Sequence, residues 1–239
     1  MKAPSRGVVQ PGSSSVVDPD YWWFAARASL LRAGLSPWLG HPERVLDVGS
    51  ADGPSAAWTR GTHQHVSIDL DPRGLVPGAG VVASALSLPF GDGCFDVVAA
   101  FDVIEHCEPE SVAVAELARV LAPGGRLLVS VPAYQWAWSD HDVRAGHHRR
   151  YTRPRIASAL EAGGLRVERS TYAFAAVFPM FAAERMVRRL RRSASSARLP
   201  HVSPVVDRTL RALSRAESRV LRRVDLPFGS SVLVAAVKP

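Results

Sequence analysis

Val45-Leu46-Asp47-Val48-Gly49-Ser50-Ala51-Asp52-Gly53 is the stretch that decides how this chain reads. A short apolar run with the pattern of a buried strand ends in a turn with a glycine at each end. Twenty residues after Gly49 a second run, Val66-Ser67-Ile68, ends in Asp69. A glycine turn lets a ligand sit against the main chain, where a side chain would block it. A carboxylate at the tip of the next strand takes ribose hydroxyls. Together these are the parts with which a doubly wound α/β sheet holds a nucleoside.

The spacing separates two kinds of nucleoside ligand. A dinucleotide turn needs three glycines, so that a pyrophosphate can pack on the start of the helix. This turn has two, and Asp52 lies inside it. A carboxylate repels a pyrophosphate and tolerates a cation. The turn therefore favours S-adenosylmethionine, which carries a sulfonium and no phosphate.

Further segments extend the pattern. Leu88-Pro89-Phe90-Gly91-Asp92-Gly93-Cys94-Phe95-Asp96-Val97-Val98 leads into an apolar strand. Asp102-Val103-Ile104-Glu105-His106 follows that strand, and Leu121-Ala122-Pro123-Gly124-Gly125 precedes another. In this order, over residues 43–132, the segments resemble those of the class I S-adenosylmethionine-dependent methyltransferases, in the bacterial type 11/23-like group. Ser50-Ala51 stands where that family usually has Cys-Gly. Ser84 stands where it usually has an Asp for the adenine amine, so adenine recognition would rest on the backbone near Ala85. The resemblance implies cofactor binding by Asp47, Gly49, Ser50, Gly53, Asp69, Leu70, Ser84, Ala85 and Asp102.

The 239 residues suffice for one α/β domain with additions. Strands are expected near 44–48, 65–69, 80–83, 95–100 and 126–131, with helices near 53–60, 72–76 and 110–121. The first 17 residues, polar and rich in Gly, Ser and Pro, read as a disordered tail. Asp18-Pro19-Asp20 reads as a helix start; the helix then carries Tyr21-Trp22-Trp23-Phe24 to about Arg32 and stops at Gly34. Four consecutive aromatics cannot share one helix face, so this helix either caps the sheet or forms a lid over the pocket. Arg27, one turn after Trp23, could reach a carboxylate there.

A helix opens at Thr152, and strand six is expected over 165–171. The only good candidate for strand seven is 231–237, some sixty residues on. The expected architecture is thus a Rossmann-like, doubly wound, mostly parallel seven-stranded sheet with its last strand antiparallel. The methyltransferase domain would comprise 18–171 and 229–239, with a helical basic insertion over 172–228.

Residues 185–223 hold twelve arginines against two acids, Asp207 and Glu217. The formal net charge is +7, which favours an anionic partner. An apolar stretch from Tyr172 to Ala183, followed by arginines, is too short to span a bilayer but fits an in-plane element on anionic lipid over 172–192. A helical pair packed on the domain, with a solvated basic face, explains the same pattern. Its last part, Val206 to Arg223, places Leu210, Leu213 and Val220 on one face. An RNA-facing surface is the third reading, disfavoured because few aromatics are interleaved for base stacking. The sequence shows no export signal, so the expected compartment is the cytoplasm, with attachment at the inner face of its membrane under the in-plane reading of the insertion. No obligate protein partner is evident.

Chemistry concentrates in residues 133–152, which show no periodicity and follow strand five. Tyr134, Trp138, Arg150 and Tyr151, with Trp23 and Arg27, are the candidate acceptor-binding residues. Arginine suits a phosphate or carboxylate, which it grips with two parallel bonds. His106, His141 and His147 are the candidate catalytic residues, because imidazole exchanges protons near neutral pH. Cys94 and Cys107 make no disulfide framework, and the His/Asp cluster at 140–148 lacks the ligand spacing of a known metal site, so no metal is expected. The acceptor is read as a small molecule or a lipid-linked, phosphate-bearing intermediate. A soluble small-molecule methyltransferase of secondary metabolism is the alternative.

Overall fold

The computed structural model describes residues 21–49, 53–61, 64–75, 80–191 and 202–239. The expected tail, the Asp18-Pro19-Asp20 helix start, Ser50-Ala51-Asp52 and Arg192 lie outside the described residues. The strands are β1 (Arg44–Val48), β2 (Gln64–Asp69), β3 (Gly80–Val82), β4 (Phe95–Phe101), β5 (Leu121–Pro132), β6 (Arg166–Ala173) and β7 (Ser231–Val237). They form one sheet in the order β3-β2-β1-β4-β5-β7-β6. Only β7 runs against its neighbours, pairing antiparallel with both β5 and β6.

The strands are apolar on both faces because helices cover both. Alternate residues point opposite ways along a strand. On β4, Val98 and Ala100 join one cluster while Val97, Ala99 and Phe101 join the other. The first cluster is closed by helices α3 (Glu110–Val120) and α5 (Arg153–Ala162), through Val114, Leu117, Ile156 and Leu160. The second is closed by α1 (Trp22–Leu39) and α7 (Pro204–Leu221), through Leu30, Leu31, Leu210 and Leu221. Between them lie the short helices α2 (Gly53–Ala56) and α4 (Asp140–Ala145), and α6 (Phe178–Arg191).

The structure departs from the expectations at four places. Helix α1 does not stop at Gly34 but continues through Pro37 to Leu39. Gly34 is where the helix crosses the sheet: a Cβ there would lie 2.7 Å from Leu233 Cδ1. Packing against Leu221 and Leu233 outweighs the roughly 1 kcal/mol that glycine costs a helix.

The segment after β5 is not structureless. It holds a turn of 3₁₀ helix over Gln135–Ala137 and then α4, whose start is a reciprocal cap between Ser139 and Asp142. In the insertion, β6 continues to Ala173, past the expected boundary at 172. Leu213 and Val220 of α7 are exposed, and its buried face is Leu210, Ser214, Glu217, Ser218 and Leu221. Small serines let α7 approach α1, where Ser29 and Ser218 hydroxyls meet at 3.0 Å. The Glu217 carboxylate accepts from the backbone N–H groups of Ala175 and Ala176 at 3.0 and 2.8 Å. Helix α7 is therefore packed on α1 and on the segment after β6.

Candidate active site

Chain order reverses between β1, which leads to β2 and β3, and β4, which leads to β5. Ligands of open α/β sheets bind at the carboxyl ends of the strands flanking such a reversal. A cavity of about 540 Å³ lies there, and Gly49, Asp69, Leu70, Ser84, Ala85 and Asp102 line it. Trp23, Arg27 and His106 also line it. Asp47 and Gly53 do not reach the cavity wall, and Ser50 lies outside the described residues.

Gly49 has φ +76°, and a Cβ on it would stand 2.5 Å from Val103 Cγ2. Its N–H donates to the Ile68 carbonyl at 2.8 Å, tying the β1 turn to the end of β2. Asp69 ends β2, and its Oδ1 accepts from the Asp71 N–H at 2.8 Å. The Ser84 hydroxyl accepts from the Leu86 N–H at 3.1 Å. The Leu88-Pro89-Phe90 segment that follows is pinned to α3. Arg119 donates to the carbonyls of Leu88 and Phe90, and Glu116 accepts from the Leu88 N–H.

Asp102 has φ +57°, and its carboxylate accepts from Ser130 Oγ at 2.8 Å and pairs with Arg27 at 3.0 Å. Arg27 is buried and lies 5.6 Å from the centre of the Trp23 ring. Trp23 in turn stacks on Phe174 at 5.8 Å. The aromatic helix thus serves both expected ends: Trp22 and Phe24 are buried, while Trp23 and Phe24 face the cavity.

Asp47 is buried in β1, and its Oδ2 accepts no hydrogen bond. Burial pushes its carboxyl up to about 7, against the lowering influence of Arg60 and Arg27 and with a smaller raising one from Asp69. An unfolded carboxyl near 3.8 gives up its proton between pH 4 and 7, while the folded one keeps it. Stability from this group is full below that window and lost as pH rises through it. Asp47→Asn is therefore expected to be more stable than the parent at pH 8, by a few kcal/mol. Parallel thermal melts should show the difference vanishing toward pH 4.

The second constellation sits beside the cavity. His147 Nδ1 lies 2.9 Å from Asp142 Oδ1. Asp142 is fully buried and also takes hydrogen bonds from the Ser139 N–H and Arg150 Nε at 2.8 and 2.7 Å. Burial works against its charge, but the bonds from His147 and Arg150 prevail and hold it well below the usual carboxylate range. An ionised carboxylate only accepts, so Nδ1 of His147 carries the hydrogen, and in the neutral ring Nε2 is then the lone pair. The His106 ring stands 4.6 Å from that of His147, and His141 6.4 Å away. Desolvation, then His147, lowers the His106 imidazole below its ordinary value; desolvation does the same for His141, with a smaller contribution from Arg185 of α6.

Tyr134, Trp138, Arg150 and Tyr151 do not line the cavity. Arg150 and Tyr151, read from the sequence as acceptor-binding groups, are both buried. Arg150 is spent on Asp142 and the Ala133 carbonyl. The Tyr151 backbone bridges Pro132 and Tyr134. Tyr134 stacks on Tyr172 and Trp136. Arg149 donates to the Cys107 carbonyl and pairs with Glu108, and the His148 N–H donates to the Glu105 carbonyl. The Gly146–Tyr151 run is thus a strap that holds His147 over the segment after β4. Sequence reasoning missed Asp142 as its orienting group, although Ser139-Asp140-His141-Asp142 is a capping-box pattern.

Comparison with known proteins agrees with this geometry. Residues 46–129 match the family described as "Methyltransferase domain". An uncharacterized methyltransferase of Mycobacterium sp. (strain KMS) is 33% identical over 163 residues, which cover 57% of this chain and 65% of that protein. A demethylmenaquinone methyltransferase of Mycobacterium bovis is 31% identical over 155 residues, covering 60% and 61%. The chain thus spans less than two thirds of the length of these curated relatives. The fold of the N-methyltransferase NodS from Bradyrhizobium japonicum, solved with S-adenosylhomocysteine, superposes with a TM-score of 0.54 at 15% identity, over 93% of this chain and 90% of that one. The switch-point cavity, the Gly49 turn and the match over residues 46–129 together support a class I S-adenosylmethionine-dependent methyltransferase domain in this chain.

Proposed function

We propose that this chain transfers the methyl group of S-adenosylmethionine to an oxygen or nitrogen of an acceptor that is lipid-linked or phosphate-bearing and is met at an anionic membrane surface. The residues at the cavity fit the donor. Asp69 stands at the strand tip for the ribose hydroxyls, and the bare Gly49 backbone lets the nucleoside lie close. The Asp102 carboxylate suits the cationic end. The cavity is within the usual range for a bound small molecule, roughly 300–1,000 Å³. The donor supplies an activated methyl group, so the protein's main task is alignment, worth several kcal/mol. Acceptor hydroxyls and ammonium groups arrive protonated, so the acceptor side must also handle a proton. His106 lines the cavity, with the His147 ring 4.6 Å from it and the His141 ring 6.4 Å from His147.

The observation that carries the membrane reading is the outer face of α6. Met180, Met186 and Val187 are 60%, 54% and 45% exposed, and Pro179 and Ala183 lie on the same face. This is an apolar stripe at helical spacing, with the exposed Arg189 beside it. Phe178 anchors the start of the helix on Tyr134, Trp136 and Phe228. Arg185 comes near enough to His141 to influence it, which brings α6 to the acceptor side. No helix among the described residues is long and apolar enough to cross a membrane, so the stripe suits a helix lying in the headgroup plane. The demethylmenaquinone methyltransferase among the relatives is in keeping with a quinone or other apolar acceptor. The packing of α7 on α1 favours the soluble small-molecule alternative, since half of the insertion is committed to the domain.

Flotation with anionic vesicles separates the two. The parent chain should float at low salt. Met186→Asp with Val187→Asp should reduce the floated fraction by about tenfold or more, with the thermal melt unchanged. A parent chain that stays at the bottom with every vesicle composition removes the membrane half of the proposal. Labelled donor incubated in parallel with a lipid extract and a soluble metabolite extract then identifies the acceptor class.

A further inference from the structure

Glu105 is fully buried, and neither of its carboxylate oxygens has a hydrogen-bond partner. Burying a carboxylate with nothing to answer it is costly, and such groups are normally paired or bound to a cation. Two histidines face it. One ligand atom each from Glu105, His106 and His147 lie within 4.8 Å of one another. The three come from two parts of the chain, the 3₁₀ turn Ile104–His106 after β4 and the strap after α4. That separation is why their sequence spacing suggests no metal.

We infer that Glu105, His106 and His147 form a binding site for one divalent transition-metal ion at the acceptor side of the cavity. The donor set, two imidazoles and one carboxylate, suits zinc or ferrous iron and leaves at least one coordination position open. His147 is already oriented as a ligand. Its Nδ1 is fixed on Asp142, which leaves Nε2 to face the cluster, the carboxylate–histidine arrangement that supports metal-bound imidazoles elsewhere. Asp142 is itself held by Ser139 and Arg150, so this outer support is complete without the ion. Around an ion with bonds of about 2.1 Å, tetrahedral ligand atoms stand roughly 3.4 Å apart. The spread of up to 4.8 Å is wider than this, so binding requires the ligand atoms to draw together, and His106 is the exposed member that lines the cavity.

The existence of this site does not depend on methyl transfer; its role rests on that reading. Because His106 lines the cavity, an ion held by it would have its open position next to the space for an acceptor. An ion there draws charge from an acceptor hydroxyl, which gives its proton to solvent water. The oxygen then bonds to the methyl carbon, the carbon–sulfur bond breaks, and the electron pair stays on sulfur, leaving S-adenosylhomocysteine. In this arrangement His106 and His147 act as ligands and not as bases.

The test is metal binding by the whole chain, read without turnover. Protein stripped with a chelator and dialysed is titrated with Zn²⁺, and bound metal is measured by elemental analysis. Co²⁺ replacement is followed by its visible absorption. One Zn²⁺ per chain is expected, together with Co²⁺ bands of a nitrogen- and oxygen-ligated site. His106→Ala and Glu105→Gln should each weaken binding by about tenfold or more. Glu105 is buried, so if its variant fails to fold, the exposed His106→Ala decides. Absence of stoichiometric metal, or Zn²⁺ held equally well by His106→Ala, overturns the site. A separate titration of the parent with S-adenosylhomocysteine keeps the outcomes apart. Zinc without nucleoside binding preserves the metal site and removes the methyl-transfer reading, and nucleoside without zinc does the reverse.

Discussion

Gly49→Ala should lose affinity for S-adenosylmethionine by about a hundredfold or more, which corresponds to roughly 3 kcal/mol. Two independent costs act at this position. The backbone stands at φ +76°, a conformation that costs an L-residue about 1–2 kcal/mol. The new methyl would also stand 2.5 Å from Val103 Cγ2, so either the turn or Val103 must move, and both form the cavity wall. The pair Gly49→Ala/Val103→Ala separates the costs: removing the valine methyls relieves the collision but not the backbone strain. Affinity for S-adenosylhomocysteine, measured by calorimetry, should recover in part. Full recovery would make the collision the whole effect, and unchanged affinity in the single variant would dissociate the turn from the ligand.

Asp142→Ala should produce the largest loss of stability of any single change at the site. Asp142 is fully buried and accepts from Ser139, His147 and Arg150, and Arg150 is itself buried. Removing one partner of a buried ion pair leaves the other charge uncompensated, at about 3–5 kcal/mol. The cap of α4 is lost with it, adding about 1 kcal/mol. At roughly 2–4 °C per kcal/mol for a chain of this size, the melting temperature should fall by about 8–24 °C. Asp142→Asn keeps the shape and part of the cap but not the charge, and should fall between the two. A melt of Asp142→Ala within 2 °C of the parent (an estimate on the same scale) would mean that the strap is not held in this way.

The sheet was legible because its signals are local. Apolar runs bounded by glycine or proline placed all seven strands, and β1 was read to the residue at Arg44–Val48. The reversed direction of β7 followed from the domain pattern, and the cavity formed around the glycine turn and the acid at position 69. Errors arose where tertiary contacts override local preference. Gly34 has the propensity of a helix end, yet the helix runs on past it, packed so closely that an added Cβ would displace the Leu233 side chain. On α7, hydrophobicity pointed to Leu213 and Val220. The helix instead turns Ser214, Glu217 and Ser218 inward, because Glu217 has the backbone of Ala175 and Ala176 to bind.

Of the residues read as site groups, Gly49, Asp69, Leu70, Ser84, Ala85 and Asp102 line the cavity, whereas Asp47 in β1 and Arg150 and Tyr151 on the strap do not. Arg150 and Tyr151 carry the chemistry of ligand-binding groups but are buried in holding the strap. Whether an arginine meets a phosphate or an internal aspartate depends on long-range pairing that no spacing encodes. The same holds for Glu105. As a residue type it is an ordinary surface acid, and only its burial with two imidazoles gives it meaning.

The central claim is that the cavity at the β1–β4 reversal holds the methyl donor. Calorimetric titration of the parent chain with S-adenosylmethionine and with S-adenosylhomocysteine, alongside Asp69→Ala, tests it most directly. One site per chain for both nucleosides is expected, with affinity reduced at least about tenfold when the carboxylate at position 69 is removed. No heat from either nucleoside, or binding indifferent to that carboxylate, would contradict it.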